Sequence, residues 1–299
     1  MEYKDKLRQL KEIVNKHLQS FTAVDGSIIT DEQSFLIPNS TQLLHFNDDD
    51  INFDKIFNLK APNQKIIDKS FFHYKRFDIA YRFIDEDFIS ASALSNFIGP
   101  DDDIKEYEHF FETTKIPYAK SFIEKQKEGL FVFCLTEDSV TERFWNEYVS
   151  DHNGLCLEFE FHAHGYLGES LELRKICYDD GNDFKFYADM QDEIFSTFGR
   201  YLATTGLAKF GALYKRRASY GWEKETRLLL NWSLFHDDLA KNSFSIDIDV
   251  SKTYLKIPLK NNLFTLRIKS IKIGKNLNNS QKDQIKTLAD KKGLSWIEE

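Results

Sequence analysis

Leu7, Leu10, Ile13, Val14, Leu18 and Phe21 recur at helical spacing over residues 3–21, with Lys, Arg and Glu between them. This pattern predicts an amphipathic helix. The chain that follows predicts a turn and short strand at DGSIITDE and an acidic loop at NDDDINFDK. Helix and loops together read as an N-terminal helical extension over residues 1–70. The main body, 71–299, begins with a short aromatic strand at FFHYKRFD. DIAYRFIDEDFISASALSNF predicts a helix passing into a short strand and loop. Residues 101–128 are charged and helix-like, and the acids Asp101 to Asp103 suit a helix start.

Further along, GLFVFCLTED (129–138) reads as a buried strand. SVTERFWNEYVS (139–150) reads as a helix, with Phe144 and Tyr148, and Trp145 and Val149, four residues apart. DHNG stops it, with Gly154 expected at the left-handed position after the helix. LCLEFEFH alternates as a strand, and LRKICYDD is another. Phe186, Met190, Ile194, Phe198, Tyr201 and Leu202 predict one long helix over residues 184–213. ETRLLLNW, TYLKIPL and IKSIKIG are strands, followed by a helix over 280–292 and a last strand at LSWIEE. Strands and helices in irregular order predict an α+β fold rather than a βαβ repeat.

Composition narrows the function. The 299 residues are 41% hydrophobic and 15% aromatic, enough apolar material for a substantial core. The net charge of −8 argues against general binding of polyanions, although Lys215-Arg216-Arg217 is a local basic run. Cys134, Cys156 and Cys177 are widely spaced and show no metal-ligand pattern, so buried free thiols and no metal site are expected. The first 18 residues lack a signal-peptide core, and no apolar run is long enough to span a membrane. A cytoplasmic protein with no membrane association is expected.

The candidate chemistry gathers at Trp222-Glu223-Lys224-Glu225-Thr226-Arg227. In a strand, positions i and i+2 share a face, so Glu223 and Glu225 are expected to point the same way. Two crowded carboxylates are either a solvated strand entrance, with Glu225 paired to Arg227, or a site that uses the pair. His73, in its aromatic strand, and the Trp145, Tyr148, His152, Gly154 and Cys156 spacing are the other candidates. Walker and Rossmann loops, GxSxG, HExxH and kinase motifs are all missing.

These pieces occur in a familiar order: HYK on an early strand, W-x-x-Y-x-x-x-H-x-G-L-C-L-E-F, Tyr178 at a strand end, then Lys215 ahead of W-E-x-E-x-R. The order resembles a bacterial family catalogued as a domain of unknown function, over about Phe71 to Lys275. Val149 departs from that family's usual small residue after the tyrosine. The arrangement is also similar to the H-Y-E plan of ADP-ribosyltransferases, which implies a split β-sheet core with flanking helices. On that resemblance His73 binds the ribose of NAD, and Tyr74 or Tyr148 stacks on nicotinamide. Glu225 stabilises the oxocarbenium-like centre, Glu223 takes a proton from the acceptor, and Arg76, Lys215 or Arg227 neutralises the pyrophosphate. Arg227 has an alternative role, holding Glu225 in place. The implied protein is an NAD-dependent mono-ADP-ribosyltransferase, a bacterial toxin or phage-defence effector. Its acceptor is a protein or nucleic acid, and its partner is an antitoxin or inhibitor protein. The alternative is a non-catalytic module of the same fold that binds a nucleotide or a protein.

Overall fold

The computed structural model describes residues 3–19, 43–46, 70–96, 127, 129–138, 142–164, 171–179, 185–199, 201–204, 212, 214–216, 220–232, 244–249 and 252–299. The chain divides into two compact units. One comprises Met1–Ala61, Phe97–Glu128 and Ile176–Gly221, and the other Pro62–Asn96, Gly129–Lys175 and Trp222–Glu299. Most of the expected 1–70 extension therefore shares a unit with two later segments of chain. The expected helix over 101–128 lies outside the described residues except Lys127.

In the first unit, helix α1 (Tyr3–Gln19) packs on the later helix α4 (Lys185–Phe198). Lys16 and His17 both reach the Glu193 carboxylate, at 2.7 and 2.6 Å. Helix α4 is shorter than the periodicity predicts. Gly199 takes φ 65 and its N–H bonds Phe195 O at 2.7 Å, closing the helix. Tyr201 and Leu202 then enter strand β8 (Tyr201–Thr204), which pairs in parallel with β1 (Leu43–Phe46). β7 (Cys177–Asp179) and β9 (Tyr214–Arg216) form a second parallel pair.

The second unit is built on a ten-stranded, mostly antiparallel sheet. Its strands are β2 (Ser70–Arg76), β3 (Phe88–Ala93), β4 (Leu130–Thr136), β5 (Gly154–Ala163) and β6 (Leu171–Lys175). They continue with β10 (Glu225–Asn231), β11 (Ser245–Asp249), β12 (Lys252–Pro258), β13 (Phe264–Ile273) and β14 (Ser295–Glu298). The molecule is thus α+β with a large mixed sheet and few helices. The sheet forks at β4. Along one edge β4 pairs with β10 over its whole length. Its other edge is shared, by β3 at Phe131 and Val132 and by β2 at Thr136.

Alternation assigns the faces. Phe131, Phe133 and Leu135 of β4 point with Leu228 and Leu230 of β10 and Leu155, Leu157 and Phe159 of β5 into the main core. Helices α2 (Phe77–Asp85) and α5 (Asn279–Lys292) cover that face with Phe83, Ile84, Ile285 and Leu288. Phe72, Tyr74 and Cys156 point the other way, where helix α3 (Glu142–Tyr148) lays Phe144 and Trp145 on them. Trp145 is wholly buried. No helix among the described residues is long and apolar enough to cross a membrane.

The link from α3 to β5 departs from expectation in a telling way. The left-handed residues are Ser150, Asp151 and His152, with φ 49, 56 and 59, and Gly154 is not among them. Gly154 is instead the first residue of β5, where a Cβ would collide with Lys75 O and the Val149 side chain. Glycine is required there for close approach rather than for a positive φ.

Candidate functional site

The entrance to β10 is a built turn. Gly221–Glu223 is one turn of 3-10 helix, Lys224 takes φ 44, and the strand starts at Glu225. Glu223 therefore lies outside the strand, and strand alternation does not set the direction of its side chain. The left-handed Lys224 between them breaks the alternation. Thr136 holds the turn by donating its hydroxyl to Glu223 O at 2.6 Å, and it accepts from Asp138 N at 3.1 Å. Lys224 reaches Asp138 at 3.0 Å.

A solvated strand entrance is excluded, because Glu223 is 2% exposed and Glu225 6%. Each carboxylate has a specific partner. Tyr148, at the end of α3, donates its hydroxyl to Glu223 Oε1. Arg227 grips Glu225 through Nε at 2.7 Å and a terminal nitrogen at 3.3 Å. A buried charge of this kind persists only when paired and hydrogen-bonded. Tyr148 is 45% exposed, with Phe144 stacked on its ring at 5.9 Å and Trp222 at 6.3 Å. Trp222 carries the Arg143 guanidinium 4.1 Å above its ring. A phenol ring is thus pinned beside a buried acid with part of its surface open to solvent.

Two buried charged residues of this face went unread in the sequence. Glu172 and Arg174 on β6 repeat the Glu-x-Arg pattern of Glu225 and Arg227, with Arg174 Nε bonded to Glu172 at 2.5 Å. The register sets Arg174 directly opposite Arg227 and Glu172 opposite Leu229. All four charged side chains are buried and share the face covered elsewhere by α3. The signal was present as alternating charge in LELRK, a run whose second half alone was read as strand.

His73 is not among this group. Phe72, Thr136 and Glu225 sit in register across β2, β4 and β10 and so share a face, which leaves His73 on the other. Its ring lies 4.4 Å from the ring of Phe133 and 6.2 Å from that of Phe83, on the core side. Nδ1 bonds Cys134 O at 2.7 Å, and Nε2 is covered without a partner. Burial, reinforced by Lys75, pushes the imidazole down to about 3 against the opposing pull of the Cys134 carbonyl and Glu225. This is a neutral, half-buried histidine on the core side of the sheet.

Tyr74 shares the face of Glu225 but lies under α3, stacked on Phe144 at 5.0 Å and edge-on to Trp145 at 5.1 Å. Burial raises its phenol far above the usual range. Arg76 is exposed and pairs with Asp78 at 3.4 Å. Lys215 belongs to the first unit, buried, with Nζ 4.8 Å from the Tyr220 ring centre. Arg217 lies outside the described residues. Cys156 is a buried thiol pushed up to about 12 by its burial, and Cys134 is partly buried. His152, expected at the helix stop, is buried, stacked on Trp145 at 5.0 Å, with Nε2 3.0 Å from Glu142.

The described residues contain no group of three or more His, Cys, Asp or Glu placed to hold a metal ion. No protein-family model, curated protein or solved structure matches the chain. The functional reading rests on the site itself.

Proposed function

We propose that this chain is an NAD-dependent mono-ADP-ribosyltransferase on an ADP-ribosyltransferase-like split sheet. We place its reaction at Glu223, Glu225 and Tyr148. The observation that carries the reading is the pair of buried carboxylates bracketing Lys224, one held by a phenol and the other by a guanidinium. Cleavage of the bond between nicotinamide and ribose sends the bonding electrons out with nicotinamide and leaves positive charge at the anomeric carbon. Glu225, kept ionised and oriented by Arg227, stabilises that charge in the transition state. Glu223, with Tyr148, accepts the proton of the attacking nucleophile. The open part of the Tyr148 ring stacks on nicotinamide. His73 has no role at the reacting atoms, because its imidazole faces the core. As a toxin or phage-defence effector, the protein would modify a protein or nucleic acid and be neutralised by a partner protein.

A second reading is favoured by one observation: Glu225 is already matched in charge by Arg227, as in a structural pair. On that reading the same face is a non-catalytic nucleotide- or protein-binding module. Incubating the protein with NAD and a cell lysate, while measuring free nicotinamide and bound NAD, separates the two. Nicotinamide release that Glu225→Gln abolishes supports the transferase. NAD binding without release supports the module, and neither binding nor release removes NAD from both.

A further inference from the structure

On the core side of the sheet, away from Glu225, a cavity of 220 Å³ opens between the β12–β13 hairpin, the α2–β3 turn and the end of α5. Its floor is aliphatic: Ile84, Leu259, Leu266, Ile268 and Leu294. All but Leu294, which is half-buried, are buried. The mouth is charged and held in place. Asp87 takes a left-handed φ of 54, its carbonyl accepts from Leu259 N at 2.9 Å, and its carboxylate holds Lys292 at 2.5 Å. A non-glycine residue held in that region marks a turn fixed by its surroundings. The Arg267 guanidinium is committed to Glu160. Lys260 stands exposed at the rim and forms no ion pair among the described residues.

The geometry points to a binding site for a small apolar monocarboxylate, an aromatic or branched-chain acid. Size sets the first limit, since a cavity of about 150 Å³ holds benzene and this one holds a ring with one short polar group. Chemistry sets the second. Five aliphatic side chains select an apolar body, and a few placed polar groups orient it. Charge sets the third. Lys292 is neutralised by Asp87, which leaves Lys260 to attract one negative charge. A dianion such as phosphate would meet Asp87 at the mouth and have no apolar body for the floor.

The test is methyl NMR of the intact protein titrated with benzoate, benzyl alcohol and benzylamine, three probes of one shape and different charge. Benzoate is expected to shift the methyls of Ile84, Leu259, Leu266 and Ile268, and to bind at least tenfold more tightly than the other two. Lys260→Glu should weaken benzoate at least tenfold with the methyl spectrum otherwise unchanged. Leu294→Phe, which fills the cavity from its half-exposed side, should remove the shifts. No shift at saturating benzoate, equal binding of the three probes, or undiminished binding by Lys260→Glu would overturn the proposal.

Discussion

His73 and Glu225 are separated by a single strand, β4, yet their side chains leave the sheet on opposite faces. Thr136 lies between Phe72 and Glu225 in register, so the imidazole one residue beyond Phe72 faces the core. Glu225 lies on the face where α3 carries Tyr148, and the imidazole packs against Phe133 on the other.

This separation predicts a pH dependence of stability. His73 titrates near 3 when folded and near 6.5 when unfolded. Between those values the unfolded chain holds the extra proton, so stability rises with pH across that window and is lost as pH falls through it. The slope from this one group approaches 1.4 kcal/mol per pH unit. Urea midpoints from pH 4 to 7 should show a steeper rise for the wild type than for His73→Leu.

The Glu225–Arg227 pair is nearly as buried as the core, with side chains 6% and 2% exposed. Removing one partner leaves a charge uncompensated, so Arg227→Ala should cost about 3–5 kcal/mol in urea unfolding. Glu225→Gln keeps hydrogen-bonding atoms in place and should cost less. A double-mutant cycle over the pair should give a coupling of about 1–3 kcal/mol, and additive losses would mean the contact carries no energy of its own.

Much of this fold was legible in the sequence. β2, β4, β5, β10, β12 and β14 fall close to their predicted places because their alternation matches a sheet with a buried face, whereas β9 and β11 went unread and LRKICYDD divides between β6 and β7. The same-face pairing of Glu225 with Arg227 was read correctly for that reason. The errors are local in origin. Gly199 ends a helix whose apolar stripe continues into a strand, because Tyr201 and Leu202 are apolar in either structure. Lys224 at positive φ ends the strand before Glu223, and nothing in a lysine announces that conformation. The face of His73 depends on register with strands far away in sequence, so no local pattern could assign it. Glu172 and Arg174 gain meaning only once β6 lies beside β10.

Gly154 supplies a stability prediction from the same region. A methyl at this position meets the Lys75 carbonyl and Val149 inside a packed strand pair. Gly154→Ala should destabilise the protein by at least about 1–3 kcal/mol, the usual cost of overpacking, and lower the thermal midpoint. An unchanged midpoint would show that β2 and β5 separate freely.

Tyr148 provides the link between α3 and the acids. Tyr148→Phe removes the hydrogen bond from the phenol to the Glu223 carboxylate and should cost about 1–3 kcal/mol, while ring packing against Phe144 persists. The cost should vanish in a Glu223→Leu background, where the acceptor is already gone. A cost unchanged in that background would place the tyrosine's contribution elsewhere.

The central claim is that the chemistry belongs to the face bearing Glu225 and needs nothing from His73. Nicotinamide release from NAD, measured for wild type, His73→Leu and Glu225→Gln with folding verified by circular dichroism, tests it most directly. Release by wild type and His73→Leu, with none from Glu225→Gln, is the predicted result. Release by Glu225→Gln at the wild-type rate, or its loss in a folded His73→Leu, would contradict it.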